Sequence, residues 1–109
     1  MNGLKDNELA AIRELKAALA RSFGLVVLKL IGSKARGDAG AESDIDLVVT
    51  LRGEHDWRLD FKIYDLCFEI GLERDVVLQP VIYSEKELNS DLTRVTPFYQ
   101  AVAREGILV

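Results

Sequence analysis

The stretch Gly32-Ser33-Lys34-Ala35-Arg36-Gly37-Asp38-Ala39-Gly40-Ala41-Glu42-Ser43-Asp44-Ile45-Asp46-Leu47-Val48-Val49-Thr50 decides the reading of this chain. A mostly apolar run, Val26–Ile31, leads into it, and a second, Leu47–Leu51, follows its acidic pair. Two strands with a site on their facing ends are therefore predicted. Gly32-Ser33 suits a close approach of backbone to an anion. Asp44 and Asp46 stand two apart, so on a strand their side chains leave the same face. Two carboxylates so placed repel unless a cation lies between them, and the simplest such cation is Mg²⁺ carrying a nucleotide's phosphates.

Working outward, the rest of the chain supplies a frame for those two strands. Leu9, Ile12, Leu15, Leu19 and Phe23 keep helical spacing over residues 6–23, with Asp6 or Asn7 as cap and Gly24 as stop. Leu25–Ile31 is apolar on both faces apart from Lys29, as in a central strand. Lys34–Gly37 suits a short helical turn. A helical period returns from about His55 to Gly71 through Leu59, Ile63, Leu66, Cys67 and Ile70. Val76–Tyr83 is β-rich, but Pro80 lacks the N–H a ladder needs and predicts an edge strand. Ser84 and Glu87 fit a capping box, and Thr96-Pro97 opens a last helix that Gly106 ends. The order helix–strand–turn–strand–helix–strand–helix gives an α/β (α+β) fold with a small mixed sheet, as one domain over residues 1–109.

Composition narrows the function. With 109 residues, 49% hydrophobic and 29% charged, the chain reads as globular. A net charge of −4 argues against a broad grip on nucleic acid, although Lys29, Lys34 and Arg36 fall near the Gly-Ser turn. The single Cys67 fits a reducing interior and reads as a small buried hydrophobe. No apolar run is long enough to span a membrane and no signal-peptide pattern opens the sequence, which places the chain in the cytoplasm.

Gly32-Ser33, a ten-residue spacer and Asp44-x-Asp46 resemble the signature of the DNA polymerase beta-like nucleotidyltransferases. The fuller agreement, Gly32–Gly37 with Ser43–Leu47, resembles the minimal branch that includes MntA-type antitoxins. The resemblance implies Asp44 and Asp46 as catalytic metal ligands; Gly32 and Ser33 would hold the phosphates, and Lys34 and Arg36 are the cations placed to neutralise pyrophosphate, each with a solvated side chain as its alternative. Its substrate would be a nucleoside triphosphate, ATP above all, with Mg²⁺ as cofactor. Catalysing members usually add a third carboxylate on a later strand, and Asp75 is the match here. Were that position Val77 or Gln79, the third carboxylate would be missing, leaving a nucleotide-binding module with weak or no transfer. The resemblance also implies a small helical HEPN-type toxin as partner and acceptor, with AMP placed on a tyrosine hydroxyl.

Outside the motif, His55 reads as a solvated turn residue before it reads as a general base. Trp57, Phe61, Tyr64 and Phe68 are spaced for one helix, as core or partner-facing residues. An apolar tail, Ile107–Val109, with Phe98 and Tyr99, predicts a C-terminal surface for a homo-oligomer or complex.

Overall fold

The computed structural model describes residues 3–40 and 44–109. Its elements are α1 (Asp6–Ser22), β1 (Leu25–Ile31), α2 (Gly32–Arg36), β2 (Ile45–Leu51), α3 (Trp57–Arg74), β3 (Leu78–Ser84), α4 (Glu85–Leu88), α5 (Asp91–Arg94), α6 (Pro97–Glu105) and β4 (Ile107–Leu108). The strands form one mixed sheet in the order β3-β2-β1-β4. β1 and β2 are antiparallel, whereas β2 and β3 are parallel and need the crossover that α3 supplies.

Alternation along the strands sets two faces. Leu28 and Leu30 of β1, Ile45, Leu47, Val49 and Leu51 of β2, and Leu78 and Ile82 of β3 point to one side. There they meet Ala11, Ile12, Leu15 and Leu19 of α1 and Ile63, Cys67 and Ile70 of α3. At roughly 1.5–3 kcal/mol per large aliphatic side chain fully buried, this layer is the main source of stability. Val48 and Thr50 are buried on the opposite face, which α6 covers in part through Val102. None of the helices among the described residues is long and apolar enough to cross a membrane.

Local chemistry sets the ends of the elements. Asp56 caps α3, accepting from Arg58 N–H at 3.1 Å and Leu59 N–H at 3.0 Å. Ser84 and Glu87 form the expected capping box, and the Thr96 hydroxyl accepts from Tyr99 N–H at 3.2 Å. β3 is an edge strand, as Pro80 requires.

One expectation needs correction, and another is met in part. The first concerns β3, which begins at Leu78 rather than Val76. Asp75 ends α3 in the left-handed conformation, φ 57° and ψ 48°, and residues 76–77 only lead into the ladder. The second concerns the tail. Ile107 and Leu108 pair with Leu30 and Lys29 of β1, Ile107 and Val109 pack on the core, and Phe98 stacks on Tyr83. The tail thus adds an edge strand within the chain, while Phe98 and Leu108 stay 36% and 69% exposed, so only part of the expected surface is used internally.

Candidate active site

The register of the sheet assembles the motif. Asp46 pairs with Ile31 at the end of β1 on one side and with Gln79 of β3 on the other. Directly opposed residues share a face, so Ile31, Asp46 and Gln79 form one row. Asp44, two residues before Asp46, joins that face, and its Oδ2 accepts a hydrogen bond from Gln79 Nε2 at 3.3 Å. Ala41, Glu42 and Ser43 of the motif lie outside the described residues.

Gly32 follows Ile31 and holds φ +74°. A Cβ built there would stand 2.6 Å from Asp46 Oδ2, inside any tolerable contact. Glycine thus both permits the backbone turn and keeps the carboxylate uncovered. The chain then enters α2, which Gly37 closes at φ 81°, its N–H donating to the Ser33 carbonyl. The Ser33 hydroxyl makes no hydrogen bond among the described residues, and it sits at the first turn of α2 with Gly32.

Electrostatics set the acidic pair apart. Partial burial, then the charge of Asp44, pushes the Asp46 carboxyl above its usual range. Ionised Asp46 is therefore under-compensated by the protein alone, which is what a divalent metal relieves. Among the described residues no group of three or more His, Cys, Asp or Glu is arranged to hold a metal. The donor set is two carboxylates and one amide, which fits a Mg²⁺ ion that takes its other oxygens from phosphate and water.

The two cations of the turn part company. Lys34 is buried and its Nζ lies 2.6 Å from Glu8 Oε2 of α1. Burial opposes ionisation of Glu8, but the hydrogen bond from Lys34 and that from the Lys5 N–H outweigh it and hold the carboxyl low. Lys34 is thus a strut between α2 and α1 and not a phosphate ligand. Arg36 stays exposed, 3.2 Å from Asp38 and 3.6 Å from Glu105 of α6, which leaves its guanidinium near the turn.

Asp75 borders a cavity of about 720 Å³ between α3, β3 and the start of α1, and Gln79 lines it too. Glu8, its other lining carboxylate, is committed to Lys34. Gln79 is the residue that a scan for acids passes over. The signal for it lies in strand register: counting from the parallel pair Ile45–Leu78 puts Gln79 beside Asp46. His55 lies past the other end of β2, with Nδ1 2.7 Å from Asp60 and Nε2 2.5 Å from Glu87. It ties α3 to α4 and takes no part in the site.

Comparisons with known proteins identify the family and the fold. The sequence pattern of the family described as "Nucleotidyltransferase domain" matches residues 12–103. The chain is 33% identical over 102 residues to "Putative protein adenylyltransferase MJ0604" of Methanocaldococcus jannaschii, covering 92% of this chain and 95% of that one. Among solved structures, a toxin–antitoxin crystal structure with AMP-PNP superposes with a TM-score of 0.64 at 19% identity, over 95% of this chain and 72% of that one. The tri-AMPylated Shewanella oneidensis HEPN toxin in complex with MNT antitoxin gives 0.54 at 16%, over 94% and 70%. These last two show the shared fold. With Gly32-Ser33 facing Asp44 and Asp46 across the β1–β2 ends, and with its sequence matched over residues 12–103, the chain belongs to the nucleotidyltransferase domain family as a minimal member and is a nucleotidyltransferase.

Proposed function

We propose that the chain transfers AMP from ATP with Mg²⁺ to a protein hydroxyl, a tyrosine of a small HEPN-type toxin, and thereby acts as an antitoxin in the cytoplasm. The observation that carries the reading is the uncovered Asp44–Asp46 pair opposite Gly32. The M. jannaschii relative named as an adenylyltransferase and the AMPylated toxin complex support the choice of AMP and of acceptor.

Asp44 and Asp46 would hold the metal, which would supply charge neutralisation on the phosphates. Gly32 and Ser33 position the triphosphate, and Arg36 faces the pyrophosphate that leaves. Gln79 orients Asp44 by donating to Oδ2, but an amide cannot take a proton. Asp75, which shares the cavity with Gln79 and has no ion pair among the described residues, is the group we assign to receive the acceptor's proton as its oxygen attacks the α-phosphorus.

Gln79 also favours a second reading, a nucleotide-binding module that neutralises its partner by contact alone. Incubation with labelled ATP, Mg²⁺ and the HEPN-type partner separates the two. Transfer by the wild type, lowered by about two orders of magnitude or more in Asp75→Ala, supports the enzyme with Asp75 as base. Equal labelling by both removes Asp75 from the mechanism. Absence of labelling by the wild type, with transfer gained in Gln79→Asp, establishes the degenerate module.

A further inference from the structure

Helix α3 is apolar on two sides. Ile63, Cys67 and Ile70 face the sheet. About a third of a turn further round stand Trp57, Phe61, Tyr64, Phe68 and Leu72, between 46% and 69% exposed. Their spacings of four, three, four and four residues are those of a coiled-coil seam, straight along one side of the helix. Since large aromatic side chains bury about 150–250 Å² each, the stripe leaves on the order of 600 Å² of apolar surface on one face. It is about 22 Å long at 1.5 Å per residue.

The charges beside the seam identify its occupant. Along one flank run Arg58, Lys62, Asp65, Glu69 and Glu73, all exposed, with cations in the first half of the helix and anions in the second. Lys62, Asp65, Glu69 and Glu73 make no ion pair among the described residues. Arg58 lies 5.0 Å over its own Trp57 ring and 3.7 Å from Asp56. In a parallel two-fold pair this flank would face the partner's other flank and its charges would go unmatched, whereas an antiparallel copy sets it against itself, with Arg58 and Lys62 opposite Glu73 and Glu69, twice by symmetry. The midpoint of the seam and the midpoint of the charge row both fall at residues 64–66. A two-fold contact requires that coincidence, because seam and charges must share one axis.

We propose that the chain forms a homodimer through antiparallel packing of α3 on α3. The seam with the aliphatic stems of its charged flank approaches the roughly 800 Å² per partner of a stable interface. Trp57 of one copy lies beside Leu72 of the other, at the rim of the cavity that Asp75 and Gln79 line. The second copy thus gives that open cavity an outer wall. Tyr64, Phe68 and Leu72 of the seam line that same cavity, so the dimer shapes the site, but its formation does not rest on the proposed transfer reaction.

Sedimentation velocity on the full chain, with circular dichroism to verify folding, tests the proposal. The wild type sediments as a dimer and Phe68→Glu as a monomer. Lys62→Glu and Glu69→Lys each weaken the dimer about tenfold, since each reversal is felt at two symmetry-related places. The doubly swapped chain regains wild-type affinity, and the two single variants mixed together form a heterodimer. Tyr64→Cys cross-links on oxidation across the axis, while Cys67, buried and with its thiol pushed up to about 12, stays reduced. Should Phe68→Glu fail to fold, the charge series decides alone. A monomeric wild type overturns the proposal, whether its stripe is then free or taken by a helix of another protein. So does a dimer that survives Phe68→Glu, or a swap that restores nothing.

Discussion

An alanine at position 32 would have to hold φ near +74° with its methyl carbon 2.6 Å from Asp46 Oδ2. The left-handed backbone alone costs an L-residue about 1–2 kcal/mol. The clash is resolved only by turning the Asp46 carboxylate or by shifting the start of α2, and either change spoils the ligand geometry. Gly32→Ala is therefore expected to lower stability by about 1–2 kcal/mol in urea titrations. In calorimetry it is expected to weaken Mg·ATP binding at least tenfold, a larger loss than its stability cost implies. Equal Mg·ATP affinity in the two proteins would place the phosphates elsewhere. At this scale the Gly-Ser and Asp-x-Asp juxtaposition was legible, while the Lys34–Glu8 pair and the place of Gln79 beside Asp46 were not. A glycine before a serine, ten residues ahead of an Asp-x-Asp, already specified what had to be small, what had to be acidic and which side chains had to share a face.

Among the elements, legibility depended on whether a signal was local. α1, β1, α3 and the caps at Ser84 and Thr96 are written in periodicity and in single polar residues, and they lie within a few residues of their expected bounds. The start of β3 is not local. Val76 and Val77 look like strand residues, but the left-handed turn at Asp75 consumes them before Leu78 reaches its partner Ile45. Which side chain stands beside Asp46 follows from register alone, and a shift in that register exchanges an acid for an amide. β4 is also non-local, since only its pairing with Lys29 and Leu30 makes a strand of Ile107-Leu108. Removing residues 106–109 strips half-buried Ile107 and Val109 from the core and frees the Leu28 carbonyl that accepts from Val109 N–H at 3.1 Å. Half-burial of two such side chains at roughly 1.5–3 kcal/mol each when fully buried predicts a loss of about 2–3 kcal/mol. A truncated chain with an unchanged urea midpoint would show that the tail contributes nothing to the sheet.

Over the whole molecule, the titrating groups set a stability window. Glu8 is held low because the hydrogen bonds from Lys34 and Lys5 outweigh burial, and Glu87 because those from Ser84 and His55 do. A depressed carboxyl contributes stability that is present above its unfolded value, about 4.3, and is lost as pH falls through the folded one. His55 runs the other way. Burial disfavours its charge, but Glu87 and Asp60 outweigh burial and raise its pKa. Its contribution is complete below the unfolded value of about 6.5 and is lost as pH rises through the folded one. Asp46, raised by burial and by Asp44, also costs stability once ionised, a cost that builds as pH rises from the unfolded value through the folded one. Thermal unfolding without Mg²⁺ is thus expected to give its highest Tm between about pH 5 and 6.5. His55→Gln should flatten the fall above that window and leave the acid limb set by Glu8 in place, since the Lys34–Glu8 pair lies on α1 and α2, away from the His55 link. Asp46→Asn should instead raise Tm at neutral pH, with a gain that fades as pH falls through the raised folded value and is gone below the unfolded value of about 3.9. A neutral-pH Tm unmoved by Asp46→Asn would mean that the two carboxylates do not repel in the free protein, and the case for a cation between them would lose its electrostatic ground.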